Sequence, residues 1–213
     1  MAGNTNSSNE QETAQPLRVL ICPLDWGIGH ATRCIPLIEH FRNRGCRVMI
    51  AGTGRSVEVL KREYPELTYV DLPGTEIRYA SGKLQIIRLI RLVPSFLWSI
   101  RNEKRSMRRI VKSFSIRMII SDNRFGCRHP DVLSVFLTHQ LVIMLPRYLR
   151  WLEGTARRIN YCFIRRFDEC WIPDFEVRNG IAGRLSHPGR LPSNARYVDR
   201  KSTRLNSSHR IRS

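Results

Sequence analysis

Leu17-Arg18-Val19-Leu20-Ile21-Cys22-Pro23-Leu24 runs directly into Asp25-Trp26-Gly27-Ile28-Gly29-His30-Ala31-Thr32-Arg33, and the fold turns on how that junction is read. The first segment is short and nearly all apolar, the pattern of a strand buried on both faces of a parallel sheet. The glycines then make a loop. Ala31–Arg44 carries Ile35, Ile38 and Phe41 at helical spacing and stops at Gly45. Working outward, Arg47–Ala51 predicts a second strand, Ser56–Tyr64 a second helix with Ser56 as its cap, and Leu67–Leu72 a third strand. Leu84–Phe114 is helical by period with a break near Pro94, and Arg117–Ser121, Val135–Thr138 and Glu169–Pro173 complete a set of six strands. Alternation of this kind requires right-handed parallel crossovers, so the expected fold class is α/β, a doubly wound, Rossmann-like parallel sheet.

The 213 residues allow one sizeable core and not two. With 42% apolar and 25% charged residues, collagen-like, low-complexity and wholly disordered chains are excluded. Leu92–Ile100 and Leu141–Leu145 are the best apolar runs, and both are too short to span a membrane. Residues 1–16 are polar, without the apolar core of a secretory signal, and are expected to be a disordered leader. A cytoplasmic protein, at most peripheral on the inner face of the membrane, is the expectation. The six cysteines show no C-x-x-C pair and read as reduced, mostly buried thiols.

Residues 17–198 form the expected domain. Beyond it, Asp199–His209 reads DRKSTRLNSSH, the in-frame translation of a sequencing-library adapter, so residues 199–213 are read as a non-native tail. On that reading the native sequence breaks off near Val198, and the domain is truncated. The tail's five basic residues and one acidic residue carry +4 of the formal charge of +18, leaving +14. A charge of this size favours anionic partners.

In open parallel sheets ligands bind beyond the carboxyl ends of the strands. The first such end holds Asp25, Gly27, Gly29, His30, Thr32 and Arg33. Glycines there let backbone N–H groups approach an anion at a helix start. Thr32 stands where a dinucleotide fingerprint has its third glycine, and no Gly-Lys-Ser/Thr follows, which argues against both nucleotide-loop motifs. His30 follows the glycines at the mouth of the cleft. A neutral imidazole there can act as general base or touch substrate; the bland alternative is a helix cap or a water-bound ring. At the fourth strand's end stand Asp122, Asn123 and Arg124. Asp122 would either cap a following helix or touch ligand, and Arg124 would either bind an anion or be solvated. At the fifth stand Thr138, His139 and Gln140, where His139 is either a site residue or a satisfied structural histidine. At the sixth, Asp174 reads as a turn former. No metal-ligand spacing is present, and no cofactor is expected.

The ordered motifs D-W-G-I-G-H-A-T-R, I-I-S-D-N-R-F-G, T-H-Q-L, C-W-I-P-D and L-S-H-P resemble those in the N-terminal half of glycosyltransferases related to family 28. That group is similar to the peptidoglycan N-acetylglucosaminyltransferase and has the two-Rossmann GT-B fold. The resemblance runs from about Leu17 to Val198. It implies an acceptor-side domain of an inverting, metal-independent enzyme that transfers a hexose or N-acetylhexosamine from a nucleotide-sugar, UDP-linked, to a hydroxyl acceptor that can be lipid-linked. By the same resemblance Gly27, Gly29 and His30 face the phosphates, Thr138, His139 and Gln140 line the acceptor side, and the donor is held mainly by a second domain beginning after Pro188. His30 is then the base, with Asp25 as an alternative or orienting carboxylate. Asp25-Trp26 before the glycines, and Gln140 without a preceding Glu, depart from the peptidoglycan enzyme.

A reading from another class rests on charge alone. Arg78–Arg117 holds eleven basic residues and one acidic residue, Glu103. Such a stripe is either a solvated helix face or a non-catalytic module for an anionic membrane surface or nucleic acid. Nucleic acid is disfavoured, because aromatic interleaving is sparse and no nucleic-acid module signature is present.

Overall fold

The computed structural model describes residues 15–25, 27–72, 85–145, 147–174 and 183–198, with residues 85–92 described by their backbone. The expected leader, apart from Gln15 and Pro16, and the expected tail lie outside the described residues, as do Trp26 and the start of the basic stretch.

Among the described residues seven strands form one parallel sheet: β1 (Arg18–Cys22), β2 (Arg47–Ala51), β3 (Thr68–Val70), β4 (Met118–Asp122), β5 (Leu133–Leu137), β6 (Glu169–Ile172) and β7 (Ala195–Tyr197). Their spatial order is β3-β2-β1-β4-β5-β6-β7. The order therefore reverses between β1 and β4, which pair in the register Ile21 with Ile120 and Cys22 with Ser121. Chains leaving the carboxyl ends of these two strands diverge, and a crevice opens between them.

Among the described residues four α-helices cover the sheet: α1 (Ile28–Arg42), α2 (Gly54–Glu63), α3 (Gln85–Phe114) and α4 (Glu153–Ile164). Alternate residues of each strand feed opposite faces. Val19 and Ile21 of β1 pack with Ala31, Cys34, Ile38 and Phe41 of α1 and with Val57 and Leu60 of α2. Leu20 and Cys22 pack with Met107 and Ile110 of α3 on the other side. Phe136, Cys170 and Ile172 meet Tyr161 and Ile164 of α4. Helices α3 and α4 thus share a face, and the edge-to-face contact of Phe96 with Phe163 joins them.

The α/β expectation holds, with local differences. The sheet has seven strands and not six, because Ala195–Tyr197 pairs with β6 despite its length of three residues. Helix α1 begins at Ile28 and not at Ala31, which brings Gly29 and His30 into its first turn. Helix α3 runs through Pro94; that residue is exposed, so the carbonyl its ring leaves unpaired can be hydrated. Helix α4 has no counterpart in the sequence reading. Its buried stripe is Asn160, Tyr161 and Ile164, and the polar Asn160 interrupts the apolar period. Asn160 is there for the backbone: its amide donates to the carbonyls of Gln140 and Leu141 at 3.1 and 3.2 Å. All six cysteines are unpaired, with Cys22, Cys34, Cys127 and Cys170 buried, as expected of reduced thiols. Among the described residues no helix is long and apolar enough to cross a membrane.

Candidate functional site

The loop from β1 to α1 is fixed from below by α2. The Ser56 hydroxyl lies 2.8 Å from the carbonyl of Leu24 and 3.0 Å from that of Gly27, and shares its proton between them. Gly27, at φ 140° and ψ 173°, holds a backbone geometry that side chains resist. No side chain caps α1 and no acidic residue stands in its first turn, so its first amides and dipole are left for a ligand.

His30, in that first turn, reaches across the crevice to β4. Its Nδ1 is 2.6 Å from Oδ2 of Asp122, a carboxylate with no solvent-exposed surface, while the His30 side chain is 14% exposed. Arg33, one turn along α1, places Nη2 2.9 Å from His30 Nδ1 and 3.8 Å from Asp122 Oδ1, and its Nη1 contacts Nδ1 of His139. Three strand ends therefore meet in one cluster: His30 and Arg33 after β1, Asp122 at the end of β4, His139 after β5.

Proton accounting narrows the tautomers. A guanidinium only donates and a carboxylate only accepts, so they make opposite demands on His30 Nδ1. The 2.6 Å contact to a fully buried carboxylate is the stronger, and we assign Nδ1–H as donor to Asp122 with Arg33 paired to the other carboxylate oxygen. Nε2 then carries the lone pair. His139 is held neutral, because burial and the neighbouring Arg33 both push its pKa below the usual histidine value. Neutral His139 can accept from Arg33 and leaves the guanidinium charge available. Cys34 lies close enough for Asp122 to add to the effect of burial, and its thiol is pushed well up and stays protonated.

The other sequence candidates are distributed more widely. Gly29 is exposed at the helix start, and Thr32, also exposed, returns its hydroxyl to the Gly29 carbonyl at 3.1 Å. Asp25 is not brought to His30. Its carboxylate lies against Gly54, where an added Cβ would sit 1.8 Å from Oδ2. Asn123 takes a left-handed φ of 55° and turns the chain, its amide donating to Leu137 O at 3.1 Å. No helix follows Asp122, so the capping alternative is replaced by the bond from His30. Arg124 meets neither of its expected alternatives: 2% exposed, it donates through Nε to Glu103 of α3 at 3.0 Å. Thr138 is buried and its hydroxyl accepts the Gln140 amide at 3.0 Å, while Gln140 is exposed. Asp174 is buried and accepts from Ser186 Oγ at 2.5 Å, which ties the end of β6 to the Leu185-Ser186-His187 segment. Its charge is felt at His139. Ser186 was legible only as part of the L-S-H-P motif.

The sheet is Rossmann-like with its polar cluster at the reversal point, and solved structures share that fold. A glycosyltransferase from Rickettsia africae matches at 11% identity over 87% of this chain and 43% of its own, with a TM-score of 0.52. A UDP-N-acetylglucosamine 2-epimerase matches at 10% identity over 85% and 47%, with a TM-score of 0.50. MurG of Acinetobacter baumannii is similar over 76% and 42% at 13% identity, with a TM-score of 0.46. The chain spans less than half the length of each. Neither a protein-family model nor a curated protein sequence matches it. The fold is that of one half of the GT-B glycosyltransferases and their epimerase relatives.

Proposed function

We propose that this chain is the acceptor-side half of an inverting, sugar-nucleotide-dependent glycosyltransferase in which His30 is the general base and Asp122 its orienting partner. The observation that carries the reading is the 2.6 Å contact between His30 Nδ1 and a fully buried carboxylate at the crevice where the strand order reverses. With Nδ1–H committed to Asp122, Nε2 accepts the proton of an acceptor hydroxyl as its oxygen bonds to the anomeric carbon. The bond from that carbon to the nucleoside diphosphate breaks on the opposite side, inverting the centre. Asp122 stabilises the imidazolium that forms. Arg33 and the uncapped start of α1 face the same crevice and favour the phosphates of donor or acceptor. A UDP-linked hexose or N-acetylhexosamine fits the resemblance, and a second domain supplies most of the nucleotide contacts.

The acceptor we propose is lipid-linked and reached from the membrane surface. Leu97 and Trp98 of α3 are 46% and 66% exposed, and Arg101 and Arg105 follow them one and two turns along the helix. An exposed tryptophan beside arginines suits an anionic interface.

In a protein carrying both halves of the fold, His30→Ala lowers kcat by roughly 10²–10⁴-fold with donor affinity little changed. A helix-start role for His30 would instead lower the unfolding midpoint and leave kcat per folded molecule intact.

A further inference from the structure

On the face covered by α3 and α4, away from the His30 cluster, lies a concavity of about 280 Å³ lined by Arg157, Arg158, Tyr161, Arg165, Arg190 and Leu191. Four guanidinium groups line it and no carboxylate does. Residues 147–166 contain six arginines and a single acidic residue, Glu153, whose Oε1 accepts the Leu145 amide at 3.3 Å. None of the four arginines makes an ion pair among the described residues; Arg157 donates to the Pro188 carbonyl at 3.4 Å.

A solvated basic helix face would spread its charges outward. Here the four arginines are exposed, but all of them border one hollow. Arg158, Tyr161 and Arg165 follow one another at helical spacing, and Arg190 comes from a separate segment held beside them by the bond from Tyr161 Oη to the Arg190 carbonyl at 2.8 Å. Like charges gathered in one hollow repel one another, and a multivalent anion removes that cost. Arginine also presents paired donors that match phosphate oxygens.

We propose that this concavity is an anion site for a phosphate-bearing group, gripped by Arg158 of α4, by Arg165 just past its end and by Arg190 from across the hollow. The same chemistry is offered by a phospholipid headgroup and by a soluble phosphate or pyrophosphate, and the two sources are separable.

Calorimetric titration of the 213-residue chain with inorganic pyrophosphate is the first arm, and co-sedimentation with vesicles of phosphatidylglycerol in phosphatidylcholine the second. The expected result is binding in at least one arm that weakens as salt rises, and that falls at least tenfold in the Arg158→Glu/Arg165→Glu double variant. Arg190→Glu, on the other segment, should weaken the same arm and guards against a folding defect in the double variant. Arg62→Gln, an exposed arginine of α2 on the opposite face of the sheet, should leave the signal in place. Competition by vesicles against pyrophosphate assigns a headgroup; binding of pyrophosphate without vesicle binding assigns a soluble phosphate. Absence of binding in both arms overturns the proposal. So does equal binding by wild type and the folded Arg190→Glu variant, or loss of the signal only in Arg62→Gln.

Discussion

At the carboxyl end of β4 the chain sends Asp122 toward α1 and, two residues later, Arg124 toward α3, and both side chains end in dry surroundings. Their partners differ. Arg124 meets Glu103, itself 6% exposed, and the pair is closed to solvent. Asp122 meets His30 and Arg33, whose side chains are 14% and 15% exposed at the rim of a crevice. The closed pair can only hold α3 against the sheet, and the Gly126 amide, donating to Glu103 at 2.9 Å, completes that join. The open one can take a proton from a hydroxyl that enters. A polar residue at a strand end is therefore not defined by its own burial; the exposure of its partner separates a brace from a site.

The comparison breaks most visibly at the brace. Arg124→Met leaves the Glu103 carboxylate buried with the Gly126 amide alone, and its pKa, already raised by burial, rises further. Removing one partner of a buried pair costs about 3–5 kcal/mol, so chemical denaturation should show a loss of that order. Replacing Glu103 by Gln together with Arg124→Met should recover part of it, since the uncompensated charge is then gone.

A smaller effect is expected at Gly54, the contact of the third carboxylate in the region. A Cβ there would meet Asp25 Oδ2 at 1.8 Å, and the backbone φ is +75°. Gly54→Ala should lower stability by about 1–3 kcal/mol, read from the same denaturation midpoint. An unchanged midpoint would mean that Asp25 swings freely, which would reopen its role as an alternative base.

The smallest effect is pH-dependent and belongs to the open cluster. Because burial and Arg33 lower the pKa of His139, the unfolded chain binds its proton at a higher pH than the folded one does. Stability is therefore lost as pH falls below the unfolded histidine value of about 6.5 toward the lower folded one. His139→Gln should flatten this acid-side decline in thermal unfolding midpoints measured across that window. The same decline in the variant would place the titrating group elsewhere.

The sequence made the parallel α/β sheet legible because β1, β2, β4, β5 and β6 are compact apolar runs. It showed β7, three residues long and half-polar, only as the start of a strand at Tyr197-Val198, and it hid α4, whose inner face is built on Asn160 and Tyr161. His30, Arg33, Asp122 and His139 were each visible as polar groups at strand ends. Their meeting was not, because His30 and Asp122 stand 92 residues apart and only the β1-β4 pairing makes them neighbours. Arg124 carried a signal that could have been used: Glu103 is the one acidic residue in the basic stretch, and a lone counter-charge on the buried side of a helix points to an internal partner. The arginine hollow was out of reach, since Arg190 joins α4 only through a tertiary contact.

The central claim, that Asp122 holds His30 with Nδ1 protonated and Nε2 free, is tested most directly by ¹⁵N NMR of the imidazole nitrogens in the 213-residue chain at a pH where His30 is neutral. The account predicts an Nδ1–H tautomer for His30 in the wild type and a shift toward Nε2–H in Asp122→Asn, with His30→Gln used to assign the signals. A wild-type His30 in the Nε2–H form, or a tautomer indifferent to Asp122→Asn, would contradict it.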